Sequence, residues 1–129
     1  MPRIVHFEIQ AENPEKVAEF YTNVFGWKIQ KWDGPVDYWL VSTGPPEERG
    51  IDGGILRRNG PRPVDMQSVN AYVCTVTVDN LDHYTGKVKV NGGVNVVPRM
   101  AIPSVGWLAY FKDTDGNIFG IMQNDPNAK

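Results

Sequence analysis

At 129 residues the chain has the size of one compact domain and enough length to bury a real core. Its 41% hydrophobic and 22% charged content excludes a disordered or collagen-like chain, and a charge of −2 from 13 basic and 15 acidic residues argues against a nucleic-acid partner. One cysteine, Cys74, excludes an intrachain disulfide, and the absence of an apolar run near the ~20 residues that span a bilayer argues against a membrane partner.

Met1-Pro-Arg-Ile runs straight into a strand pattern without a signal-peptide core, so a cytoplasmic location is expected. Ile4 to Ile9 alternates, with Val5, Phe7 and Ile9 on one face and Ile4, His6 and Glu8 on the other. Asn13 is a good N-cap and Pro14 suits the first helical position. Val17, Phe20, Tyr21 and Val24 then recur at helical spacing until Gly26 stops the run. Trp27 to Trp32 and Tyr38 to Thr43 read as strands parted by the Asp33-Gly34-Pro35 turn, and Ile51 to Leu56 as a short fourth strand. The order is βαβββ. Arg57, Arg58 and Arg62 fall in a Gly/Pro-rich stretch that reads as a solvated linker.

The same order begins again after residues 59–67, with Tyr72 to Val78 as strand and Leu81 to Val90 as helix. An offset of 67 aligns the halves, matching His6 with Val73, Asn13 with Asn80, Gly26 with Gly93 and Ile51 with Ile118. Gly86 sits inside the second helix at a cost of roughly 1 kcal/mol relative to alanine, for which tight packing on the sheet is one explanation. Gly106 to Lys112 and Asn117 to Gln123 form a hairpin through Asp113-Thr114-Asp115-Gly116. The expected fold is therefore α+β. Modules 3–58 and 68–123, joined by linker 59–67, make a single domain in which a curved mixed sheet forms a half-barrel cup with the helices outside. Val5, Phe7, Ile9, Cys74, Val76, Val78, Phe119 and Ile121 are expected to face the helices. His6, Glu8, Val73, Thr75, Ile118, Gly120 and Met122 are left for the hollow, a polar and apolar mixture suited to a small-molecule ligand.

The runs HFEI, NPEKVAEFYTNVFGWKI, GIDGG and VGWLAYFKDTDGNIFGIMQ resemble the vicinal-oxygen-chelate superfamily of glyoxalases, bleomycin-resistance proteins and extradiol dioxygenases, in particular its glyoxalase-like branch related to lactoylglutathione lyase. The resemblance covers residues 3 to 123. It implies paired βαβββ modules, a cup-shaped site, frequent homodimers and often a divalent metal that binds adjacent substrate oxygens. In metal-dependent members a ligand stands on the first strand of each module and another on the last. Here His6 occupies one such place and is the candidate ligand. Val73, Gly120 and Gly53 occupy the others and carry no donor. Glu8 could join His6, with Tyr110 or Gln123 from the last hairpin, although Gln123 has the wrong strand parity. A complete metal site is thus disfavoured, no other cofactor is implied, and lactoylglutathione lyase itself is not matched.

His6 has two readings, a neutral histidine bonded to Glu8 or to a backbone carbonyl, and a general base working with Glu8. Trp27 should pack in the core, while Trp39, Trp107, Tyr110 and Met122 are candidate ligand contacts. His83 should be a solvated surface residue. Two functions compete, an enzyme acting on a small carbonyl or enolisable substrate with His6 and Glu8 as acid/base residues, and a binding or sequestration protein of the bleomycin-resistance type. A metal-dependent lyase, isomerase or dioxygenase is the third possibility.

Overall fold

A computed structural model describes Pro2–Lys129; Met1, the first residue of the expected domain, lies outside the described residues. The strands are β1 (His6–Ala11), β2 (Lys28–Lys31), β3 (Tyr38–Ser42), β4 (Asp52–Arg57), β5 (Thr75–Val78), β6 (Val94–Ile102), β7 (Gly106–Lys112) and β8 (Ile118–Asn124). The helices are α1 (Pro14–Phe25) and α2 (Leu81–Val90). The chain divides into two compact units between Arg62 and Pro63, within the Gly/Pro/Arg stretch. Each has βαβββ order and a four-stranded mixed sheet, β1-β4-β3-β2 in the first and β5-β8-β7-β6 in the second. In each the first strand pairs parallel with the last, and the remaining pairings are antiparallel. No helix is long and apolar enough to cross a membrane among the described residues.

In the first unit Asn13 accepts the Lys16 N–H at 3.2 Å, Pro14 opens α1, and Gly26 closes it in the left-handed region with φ 74°. Val17, Phe20, Tyr21 and Val24 of α1 are buried, as are Trp39, Val41 and Ile55 of the sheet. Burying a side chain of this size stabilises by about 1.5–3 kcal/mol, which outweighs the weak intrinsic propensity of the β-branched residues. Phe7 and Ile9 lie on this face, with Phe7 6.1 Å from Trp27 by ring centroids. Trp27 is half-buried and stacks on Tyr21 at 5.0 Å. Val5 departs from its expected place, since β1 begins only at His6 and Val5 is 73% exposed. Arg57 and Arg58 are not free linker residues. Arg57 ends β4 and pairs with Asp37 at 3.0 Å, and Arg58 donates to the Gln10 carbonyl at 2.9 Å.

The second unit repeats the scheme with differences. Asn80 caps α2 by accepting the His83 N–H at 3.0 Å, and the exposed His83 ring meets Tyr84 edge-on. The residue that turns the chain after α2 with φ 92° is Gly92, not Gly93, because Asn91 serves as the C-cap. Gly86 is exposed and a Cβ there would meet nothing within 4 Å, so tight packing does not account for it. Phe119 and Ile121 are buried in the core as expected, whereas Cys74 is exposed and precedes β5. The β7–β8 turn is held by Asp113, whose Oδ1 accepts the N–H groups of Asp115 at 2.8 Å and Asn117 at 3.0 Å. Gly116 supplies the positive φ, 82°, that lets the chain return.

Candidate functional site

The face of the first sheet turned away from α1 carries the chemistry. Strand alternation puts His6 and Glu8 there together, and their β4 partners are Asp52 and Gly54. Leu40 lies opposite Gly54 and Tyr38 opposite Leu56, so Tyr38 belongs to the same face. It does not stand upright over its own partner. Its ring leans across Gly54, where a Cβ would run into the ring carbons and hydroxyl, and its Oη comes to lie between the two β1 side chains. His6 Nε2 is 2.7 Å from Tyr38 Oη, and Tyr38 donates to Glu8 Oε2 at 3.1 Å. The imidazole and phenol planes are nearly parallel, 13° apart.

A phenol has one proton to give, and here it goes to Glu8, so Nε2 must be the donor in the shorter contact. The chain of donation runs from His6 Nε2–H to Tyr38 O–H to the Glu8 carboxylate. In a neutral imidazole that leaves the lone pair on Nδ1, which has no hydrogen bond among the described residues. Tyr38 is half-buried, and burial first, with the Glu8 hydrogen bond and charge second, pushes its hydroxyl up to about 12. The proton therefore stays on the phenol throughout the physiological range.

His6 and Glu8 thus meet through a third residue, and among the described residues the His6 ring has no hydrogen bond to Glu8 or to a backbone carbonyl. Sequence reasoning missed Tyr38, although the paired glycines Gly53 and Gly54 were a signal that a backbone surface is left bare for a neighbour. The end of the face around His6 borders an open depression of about 930 Å³ lined from both sides of the sheet, by Lys28, Gln30, Leu40, Ser42 and Asp52 of this face and by Trp27, Ile29, Val41, Gly53 and the end of α1 at Thr22 and Gly26 on the other.

The other sequence candidates are distributed differently. Trp39 points to the α1 side, paired with Ile55 and 6% exposed, beneath Lys31 at 5.5 Å and Arg57 at 5.9 Å. The Arg57 and Lys31 hydrogen bonds hold the Asp37 carboxyl beside them below the usual carboxylate range. Trp107 also turns to the helix side. It pairs with Gln123, whose Oε1 accepts the Leu81 N–H of α2 at 2.9 Å. Its indole N–H donates to Asp125 at 3.0 Å and Arg99 covers its ring at 4.5 Å. Both tryptophans are therefore committed to packing and stand opposite the site face of their sheets. On the open face of the second sheet Tyr110 and Thr75 both pair with Gly120, and Met122 lies beside Leu108. A Cβ on Gly120 would meet Thr75 Oγ1 at 3.0 Å and Tyr110 Cε1 at 3.2 Å. Val73 precedes β5 and is 37% exposed.

These registers correct the alignment of the halves. Glu8 pairs with Gly54 and Thr75 pairs with Gly120, so the counterpart of Gly120 is Gly54, one residue beyond Gly53. Gly53 lies on the α1 face against Phe7.

The sequence profile of the Glyoxalase/Bleomycin resistance protein/Dioxygenase superfamily matches residues 3–121. The chain belongs to that superfamily. A "Glyoxylase-like domain-containing protein" from Didymella fabae is 28% identical over 122 residues, covering 92% of this chain and 91% of that protein. The fosfomycin resistance protein FosX from Listeria monocytogenes has the same fold, with a TM-score of 0.72 at 16% identity over 97% of this chain and 95% of that one. A variant of FosX was solved with Mn(II) and 1S,2S-dihydroxypropylphosphonic acid. The hypothetical protein SA1046 from S. aureus superposes with a TM-score of 0.68 at 20% identity, over 95% and 97% of the two chains.

A divalent metal is the group this superfamily implies, and the first unit's site does not fit one. Only two donor side chains stand there, His6 and Glu8, and the Tyr38 hydroxyl lies between them. No three His, Cys, Asp or Glu side chains come together among the described residues. A divalent ion with open coordination sites needs about three protein donors converging on one point.

Proposed function

We propose that the first sheet's open face is a general acid/base site acting on a small carbonyl or enolisable substrate, with His6 as base. The observation that carries this reading is the hydrogen-bonded series His6–Tyr38–Glu8. His6 Nδ1 takes a proton from the carbon next to the carbonyl. The C–H bond breaks, an N–H bond forms, and the electron pair passes into an enolate whose oxygen carries the charge. The imidazolium so formed is stabilised by Tyr38 Oη at Nε2 and, through it, by the Glu8 carboxylate. Glu8 thus acts at one remove, in the way a carboxylate steadies a catalytic histidine in a triad. Returning the proton to either face of the enolate, or to a neighbouring carbon, gives exchange or isomerisation.

The test is hydrogen–deuterium exchange next to the carbonyl of pyruvate, hydroxyacetone and 2-butanone in D2O, followed by NMR. We expect exchange above buffer with at least one of them, lost about 100-fold in His6→Ala. Equal exchange with and without His6 would refute the assignment. Binding without turnover, as in sequestration, is the second reading. The breadth of the depression and the 47% exposure of Leu40 favour it, and it would appear as saturable quenching of tryptophan fluorescence without exchange. Pairing of two chains, the habit of the superfamily, is checked by sedimentation equilibrium.

A further inference from the structure

One row of side chains runs across the whole first sheet on the site face. His6 pairs with Asp52, Ser42 and Asp52 both adjoin the Val41–Gly53 pair that ends the β3–β4 ladder, and Lys28 pairs with Ser42. All four line the same depression. The row therefore begins at the base and ends at a cation, three strand spacings or about 14 Å apart at the backbone. Lys28 is exposed and has no ion pair among the described residues. Lys31 of the same strand is different, since it turns to the opposite face and pairs with Asp37 at 3.4 Å.

Asp52 gives the row a direction. Its Oδ1 accepts the Thr43 N–H at 2.9 Å, which fixes a carboxylate between the two ends. An anionic group is repelled from the middle of the row and attracted to its β2 end, while a carbonyl group meets no such penalty beside His6. On the footing of the acid/base reading above, we infer that the site takes carbonyl compounds ending in a carboxylate, with Lys28 holding the carboxylate and so aiming the carbonyl end at His6. Lys28 is then a specificity-determining residue. The extended chain of a short oxo acid, with the side-chain reach of lysine and histidine added, spans the row.

The probes are 5-oxohexanoate and its methyl ester, which share the ketone and the chain and differ by the charge and one methyl group. Each is titrated into the 15N-labelled full-length protein while the amides of residues 28–30, 40–42 and 52–53 are followed. We expect the acid to bind at least ten-fold more tightly than the ester, Lys28→Ala to abolish the difference, and Lys28→Arg to keep most of it. Equal affinities for acid and ester, or perturbations that bypass these amides, would overturn the inference. Exchange next to the ketone of the same compounds in D2O separates the two levels. A charge preference in binding without His6-dependent exchange leaves the carboxylate site standing and removes the acid/base reading. His6-dependent exchange that is equal for acid and ester does the reverse.

Discussion

Gly54 is the residue on which the site depends, because only a bare backbone lets the Tyr38 ring lie flat across β4 and reach β1. Gly54→Ala should therefore displace the phenol from His6 and Glu8, at a cost of about 1–3 kcal/mol for the overpacked contact. The clearest readout is the ionisation of Tyr38 itself, followed by ultraviolet difference titration against Tyr38→Phe. Wild type should show this tyrosine ionising near pH 12, and Gly54→Ala should bring it down toward the ordinary value of 10. An unchanged titration would mean that Glu8 and burial act on Tyr38 without the close approach over Gly54. Tyr38 was not legible as a site residue in the sequence. Its alternation on β3 assigns a face, but the diagonal lean that brings it to β1 follows from a missing Cβ on a third strand, a tertiary fact no local pattern contains. His6 and Glu8 were legible because two residues apart on one strand means one face, and that needs no tertiary information.

Among the elements, α2 is the weaker of the two helices. Its only fully buried positions are Leu81 and Val88, whereas α1 buries Pro14, Val17, Phe20, Tyr21 and Val24. Gly86 adds backbone freedom to the unfolded chain and nothing visible to the folded one, since open space surrounds the position of its absent Cβ. Gly86→Ala should raise the stability by about 1 kcal/mol, read as a higher urea midpoint with an unchanged slope. A lower midpoint would show that the position is needed by a contact of the working protein. Helix starts were readable because Asn13 and Asn80 are caps with a local mechanism, and the β7–β8 hairpin because Asp113 and Gly116 bind and turn the backbone within five residues. The faces of Trp39 and Trp107 were not, because unequal loops hide the strand register and a shift of one residue exchanges the two faces. The second unit's β6, Val94–Ile102, was also undelimited in the sequence, and its pairing with β7 is broken by two shifts of register that blur the alternation.

For the whole molecule, the raised Tyr38 hydroxyl links the site to stability. The folded chain keeps this proton to about pH 12, while the unfolded chain releases it near 10. Its contribution is therefore complete below pH 10 and is lost as the pH rises through about 12. Urea unfolding from pH 8 to 12 should show wild type losing stability more steeply than Tyr38→Phe above pH 10, and parallel profiles would contradict it. The repeat of βαβββ units was legible at this scale, since caps and turns mark where elements begin and end. The correspondence of Gly120 with Gly54 was not, because the loops between strands differ in length and a constant offset drifts by a residue.

The parallel pairings of first strand with last also set an order in time. His6 meets Asp52 and Thr75 meets Gly120 across roughly 45 residues of chain, whereas β2 with β3 and β7 with β8 close over short turns. Contacts of long sequence separation carry a larger loop-closure cost and form late. On a ribosome β1 has to wait, unpaired, until the chain has emerged past Arg57. His6 and Glu8 reach Tyr38 only once β1 lies beside β4, so the hydrogen-bonded series depends on the long-range pairing that closes this sheet.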